Sequence, residues 1–121
     1  MILVDTSVWI DHLRSGDRQL EALLNQGSVL THPFVIGEVA LGHLRQRETI
    51  LTALQGLSKA IEAQEHEVLQ LIQKHTLFGL GIGYVDAHLM ASTMLTNASL
   101  WTRDKRLKEV AARLSLAAPI H

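Results

Sequence analysis

The sequence predicts an α/β fold, a three-layer α/β/α arrangement around a central, mostly parallel sheet of four to five strands. Three observations predict it. Short apolar runs without polar alternation recur at Ile2-Leu3-Val4, Val29-Leu30-Thr31 and Ser99-Leu100-Trp101-Thr102. Strands that read this way are buried on both faces, as in parallel sheets. Between the runs lie segments whose apolar residues repeat at helical spacing. Strand and helix patterns then alternate along the chain, which suits a parallel sheet with helices on both faces.

The elements follow in order. After the first run come Asp5, Thr6 and Ser7, where Thr6 or Ser7 is expected to cap a helix over Val8–Leu13. Gly16 and Asp17 break that helix. Leu20, Leu23 and Leu24 carry the next, and Gly27 marks its stop. Val29–Thr31 is a strand, and Pro33 suits the first position of a helix because its missing N–H has no role there. Phe34, Val35, Val39, Leu41 and Leu44 are placed on this helix, with Glu38 on its second turn and Gly42 one turn further. Ile50, Leu51, Leu54 and Leu57 stripe another helix that ends near Gly56. Ala60-Ile61 is expected as a short strand, and Val68, Leu69, Leu71 and Ile72 mark a helix. The run Gly79-Leu80-Gly81-Ile82-Gly83 reads as a loop, and Asp86 heads the helix behind it, where the macrodipole favours a carboxylate. Asp104 lies just past the strand Ser99–Thr102, before a helix through Leu107, Val110 and Leu114. Leu116-Ala117-Ala118 is expected as a last edge strand before Pro119.

Composition narrows the function classes. The 121 residues suit one domain spanning 1–121, and 47% are hydrophobic, enough for an ordinary core. The formal net charge of −1 sets this chain apart from broadly basic nucleic-acid binders, so any such contact must come from local patches or a metal. There is no cysteine, which rules out disulfides and thiolate metal sites. Met1 opens directly into the first strand, so no secretory signal is expected. No apolar run approaches the ~18 residues of a membrane helix. A soluble, cytoplasmic protein with no membrane contact is the expectation.

Four acids share one kind of placement. Asp5 and Asp104 follow strands, Glu38 lies early on a helix after a strand, and Asp86 begins a helix after a glycine loop. In an open α/β sheet such places lie along the edge where ligands bind. Two like charges ~5 Å apart, at an effective dielectric of ~20, repel by roughly 3 kcal/mol. Several such pairs would rival the roughly 5–15 kcal/mol that holds a domain together. A converged cluster must therefore hold protons or recruit a cation. With oxygen ligands alone the cation is hard, Mg²⁺ or Mn²⁺. Hard metals in acidic pockets serve phosphate chemistry by offsetting phosphoryl charge and acidifying a bound water.

These residues resemble a known family. Ile2-Leu3-Val4-Asp5-Thr6-Ser7-Val8-Trp9-Ile10, then Glu38 with Gly42, then Asp86-Ala87-His88-Leu89-Met90-Ala91, then Leu100-Trp101-Thr102-Arg103-Asp104 are similar to the PIN-domain ribonucleases, above all their VapC-type toxin branch. The likeness runs over essentially the whole chain. It implies a PIN fold and Mg²⁺- or Mn²⁺-dependent endoribonuclease activity leaving 5′-phosphate and 3′-hydroxyl ends. It also implies a toxin neutralised by a cognate antitoxin. The family's acidic quartet falls on Asp5, Glu38, Asp86 and Asp104. Its supporting hydroxyls fall on Thr6 or Ser7 and on Thr102. Asp5, Asp86 and Asp104 would supply most metal contacts, and Glu38 would hold a metal-bound water or a second ion.

Weaker signals complete the picture. Arg103, Lys105, Arg106 and Lys108 are candidates for the RNA backbone. Arg45 and Arg47 read as solvated, with an RNA or partner role as the alternative; His88 reads as a surface or packed residue, with substrate contact as the alternative; and Trp9, Tyr84 and Trp101 read as core or interface, with base stacking as the alternative. The histidine spacing does not suit zinc, and Gly79/Gly81/Gly83 does not match the dinucleotide fingerprint. Leu41, Leu44, Ile50, Leu51 and Leu54 form a stripe that fits the core, an antitoxin groove or a homodimer contact. Two other function classes compete: a PIN nuclease of RNA processing that has no antitoxin, and a non-catalytic signalling module with an acidic pocket. A phosphoreceiver domain would need paired acids at its first strand and a lysine ending its last. Neither is present.

Overall fold

The computed structural model of this protein describes residues 1–120. Among these residues four strands form one sheet: β1 (Ile2–Val4), β2 (Val29–Thr31), β3 (Ser58–Lys59) and β4 (Ser99–Trp101). All pair in parallel, in the order β3-β2-β1-β4. Leu3 stands between Leu30 on one side and Leu100 on the other. The helices are α1 (Thr6–Ser15), α2 (Arg18–Asn25), α3 (Pro33–Ala40), α4 (Arg47–Gln55), α5 (Glu65–Lys74), α6 (Tyr84–Thr96) and α7 (Lys105–Arg113). Strands and helices together make the three-layer α/β/α arrangement.

The winding explains where a site can form. The chain moves outward from β1 to β2 and β3, then returns to lay β4 on the other side of β1. The reversal makes the β1–β4 boundary the topological switch point, the place where open α/β sheets bind ligands beyond the carboxyl ends of their strands. Val4 pairs with Trp101 at that end, and Asp5 N donates to Trp101 O at 2.9 Å. The residues after β1 and after β4 are thereby set side by side.

The core is aliphatic. Leu3, Val4, Val8, Leu20, Val35, Val39, Val68, Leu89, Met90, Leu100 and Leu107 are buried. Helix α6 is buried continuously from Ala87 to Thr93. Its polar residues also tie down the connector after β3. Thr96 Oγ1 accepts from Ile61 N at 2.9 Å, and Ser92 Oγ from Ala63 N at 3.3 Å.

Four local expectations are corrected. Asp5 itself, rather than Thr6 or Ser7, caps α1, since its carboxylate accepts from Ser7 N. Helix α3 ends at Ala40, so Leu41, Gly42 and Leu44 lie beyond it, and Leu41 is 89% exposed. The stop has a visible cause in Arg47, which is exposed as expected and whose guanidinium donates to the carbonyls of Ala40 and Gly42 and so satisfies the end of α3. Strand β3 falls on Ser58–Lys59, two residues before Ala60-Ile61. Leu116–Ala118 makes an isolated parallel bridge, Leu100 with Ala117, in place of a full edge strand.

Leu3→Ala would open a hole in the middle of the sheet. It should lower stability by about 2–5 kcal/mol, read as a lower urea midpoint at unchanged m-value.

Candidate active site

Asp5 occupies the switch point. It is 6% exposed and sits at the junction of β1 and α1. Ser7 Oγ and Thr102 Oγ1 both donate to the same oxygen, Oδ2, at 2.7 Å each. Ser7 N adds a longer bond of 3.4 Å. The two hydroxyls are themselves oriented by the backbone after β4. Arg103 N donates to Ser7 Oγ at 2.9 Å, and Asp104 N to Thr102 Oγ1 at 3.1 Å. Each hydroxyl thus accepts from an amide and spends its one proton on Asp5. Burying a carboxylate is tolerable only with such donors around it.

The other three acids are anchored in the same manner. Glu38 Oε1 accepts from Thr6 Oγ1 at 2.7 Å, across 32 residues of sequence. Asp86 Oδ2 accepts from Gly83 N at 2.9 Å, closing the first turn of α6. Asp104 Oδ1 caps α7 by accepting from Leu107 N at 2.9 Å. One oxygen of each carboxylate is held by the protein. The opposite oxygens, Asp5 Oδ1, Glu38 Oε2, Asp86 Oδ1 and Asp104 Oδ2, carry no hydrogen bond among the described residues. The candidate hydroxyls Thr6, Ser7 and Thr102 therefore all take part, each orienting an acid.

Electrostatics ties the four together. Burial pushes the Asp86 carboxyl above its ordinary value of 3.8. The Gly83 N–H opposes that shift, and the charges of Asp5, Asp104 and Glu38 add to it. The three acids are thus near enough for their fields to act on Asp86. Yet among the described residues no three Asp, Glu or His side chains are gathered at metal-ligating spacing. The two observations are compatible. Uncompensated, a pair ~6 Å apart at an effective dielectric of ~20 repels by roughly 3 kcal/mol, while each acid has a local donor holding it back. The donor set is carboxylate and hydroxyl oxygen throughout, which fits a hard divalent cation.

The basic residues divide. Arg103 Nη1 lies 2.5 Å from Asp11 Oδ2, and Nη2 pairs with Asp17. The guanidinium also stands 5.8 Å from the Trp101 ring centroid. Arg103 therefore pins the loop after β4 to α1 and to the start of α2, and its charge is already engaged. Sequence reasoning missed Asp11 and Asp17, because partners 92 and 86 residues away leave no local trace. Lys105 and Arg106 are exposed on the first turn of α7. Arg106 lies over Gly81, where φ is +77° and a Cβ would collide with its side chain. It spans the gap between the helix capped by Asp104 and the loop leading to Asp86. Of the aromatic candidates, Trp9 and Trp101 are buried, whereas Tyr84 is 49% exposed. His88 is buried between Phe34 and Tyr84.

The PIN domain family model matches residues 2–113 of this chain. This chain belongs to the PIN-domain family. Within the PIN domains it falls in the VapC-type branch. Two relatives named Ribonuclease VapC32, from Mycobacterium tuberculosis strains CDC 1551 / Oshkosh and ATCC 25618 / H37Rv, are each 48% identical to it over 118 residues. That alignment spans 97% of this chain and 95% of each relative. A solved structure of FitAB bound to an IR36 DNA fragment superposes with a TM-score of 0.64 at 18% identity, over 93% of this chain and 91% of that one. That likeness supports the PIN fold alone.

The raised Asp86 pKa sets a pH dependence for the metal-free protein. The folded state binds this proton more tightly than the unfolded chain does. The group therefore favours folding below pH 3.8, and that advantage is lost as pH rises through its folded value. In a chelator, Asp86→Asn should raise the melting temperature near pH 7, and the gain should fade as pH falls towards 3.8.

Proposed function

We propose that this chain is an endoribonuclease toxin, folded as one domain over residues 1–121, that hydrolyses RNA phosphodiester bonds in the cytoplasm. The observation that supports this most is the arrangement of Asp5, Glu38, Asp86 and Asp104: each has one carboxylate oxygen held and the other without a hydrogen bond among the described residues, and the charges of three bear on the fourth. The 48% identity to ribonucleases across nearly the whole chain points the same way.

In this reading the free oxygens of Asp5, Asp86 and Asp104 would hold Mg²⁺ or Mn²⁺, and Glu38 would hold a metal-bound water or a second ion. When bound, the cation offsets charge on the phosphate and acidifies a water. The chain's own residues do the rest. Ser7 and Thr102 lock Asp5 Oδ2, so Oδ1 faces the crevice in one orientation. Thr6 fixes Glu38 so that Oε2 can accept a proton from the attacking water and align it with the phosphorus. Lys105 and Arg106 contact flanking phosphates as point charges. Arg103 would have to release Asp11 and Asp17 to join them, so it is assigned mainly to holding Ser7 and Asp104 in place. No 2′-hydroxyl attack is required, and the products keep 5′-phosphate and 3′-hydroxyl ends.

A cognate antitoxin is the proposed protein partner. An open groove of about 520 Å³ beside α1 and α4 is lined by Ile10, Leu13, Leu44 and Ile50 together with Arg14 and Arg45. It suits an amphipathic segment with acidic flanks. A homodimer covering the exposed Leu41 is proposed beside it, and sedimentation of the purified chain tests that.

Purified protein should cut single-stranded RNA in Mg²⁺ or Mn²⁺ and stop in chelator. Asp5→Asn should slow cutting at least about a hundred-fold at unchanged melting cooperativity; wild-type-like rates would refute the assignment. Arg106→Ala should weaken RNA binding and reduce the salt dependence by about one counterion, whereas Arg103→Ala should lower the rate and leave the salt slope as it was.

A further inference from the structure

The chain has five aromatic side chains of the Phe, Tyr and Trp types. Both tryptophans are buried, but Phe34, Tyr84 and Phe78 remain 39%, 49% and 60% exposed. Of these, Phe34 and Tyr84 stand on the helices that carry two of the acids, Glu38 and Asp86. Phe34 is four residues before Glu38 on α3, hence on the same face and ~6 Å along the axis. Tyr84 opens the turn of α6 that carries Asp86. Their rings pack on one imidazole. Phe34 meets His88 at 4.9 Å between centroids and 68° between planes, and Tyr84 meets it at 4.7 Å and 89°. Phe34 is also backed by His32 at 5.1 Å, and its N–H donates to His32 Nδ1 at 3.0 Å. His32 is 1% exposed. The rings are thus braced from within, while part of each is open to solvent.

From this we infer that Phe34 and Tyr84, braced by His88, form a stacking platform for a nucleobase of single-stranded RNA beside the phosphodiester being cut. The inference rests on the nuclease reading above and adds how that site grips its substrate. Every base has a π-face, so aromatic rings hold single strands without hydrogen-bond readout. Rings already fixed by packing lose little freedom when a base lands on them. Their position on the two helices that carry Glu38 and Asp86 favours a base over an apolar side chain of a protein partner. The groove assigned to the antitoxin is lined from α1, α4 and the segment after α3.

The test uses a short fluorogenic RNA that the wild-type protein cuts, and versions with one abasic nucleotide at successive positions around the cut. Phe34→Ala and Tyr84→Ala should each raise KM about ten-fold with little change in kcat. The penalty should vanish when the abasic nucleotide occupies the stacked position. Phe34→Trp and Tyr84→Phe should restore KM, and the melting temperatures should stay close to wild type. An unchanged KM, or a penalty equal on intact and all abasic RNAs, would overturn the platform while leaving the nuclease reading intact. So would a defect confined to binding of the co-expressed antitoxin. Failure of the wild type to cut any RNA would overturn the nuclease reading and the platform together.

Discussion

Two hydroxyl protons converge on one oxygen of Asp5, and the pocket depends on that arrangement. Ser7 comes from α1, and Thr102 comes from the end of β4, 97 residues away from Asp5 in sequence. They can meet only because β4 lies beside β1. The same two hydroxyls accept the amides of Arg103 and Asp104, so the loop after β4 is fastened to the start of α1 at several atoms. Arg103 closes the fastening from outside through Asp11 and Asp17. If β4 shifted by one residue against β1, Thr102 would leave Asp5 and the buried charge would lose half its hydroxyl donors.

The acids illustrate how like charges are accommodated in a folded chain. Each carboxylate doubles as a structural part. Asp5 caps α1, Asp104 caps α7, Asp86 closes the first turn of α6, and Glu38 is tied to Thr6. The N-terminal ends of helices favour negative charge, which offsets part of the mutual repulsion. Asp86 still has its carboxyl pushed up, first by burial and then by the charges of Asp5, Asp104 and Glu38. Stability is given up where binding needs it, a common feature of active sites.

Much of the fold was legible in the residues. Ile2–Val4, Val29–Thr31 and Ser99–Trp101 read as buried strands because continuous apolar runs have few other places to go. Pro33 marked the start of α3. The errors share a cause. Leu41 and Leu44 continue a helical period, but Arg47 reaches back to cap Ala40 and Gly42, and a distant cap overrides periodicity. Ala60-Ile61 looks more strand-like than Ser58-Lys59, yet pairing with Leu30 and Thr31 decides the register. Arg103 read as a free cation because its acids lie more than 80 residues off.

The sequence by itself determined the chemistry on offer: four acids at strand ends and early helix turns, hydroxyls beside them, and no thiolate, so that only oxygen and imidazole donors are available. Residue type and local spacing suffice for that, since both are properties of neighbouring positions. Only the tertiary structure decided that β4 returns to the side of β1, which oxygen of each acid is held and which is free, and that Phe34 and Tyr84 share one histidine. Those are contacts between residues far apart in the chain, and they are set by packing of the whole core rather than by any short stretch of it.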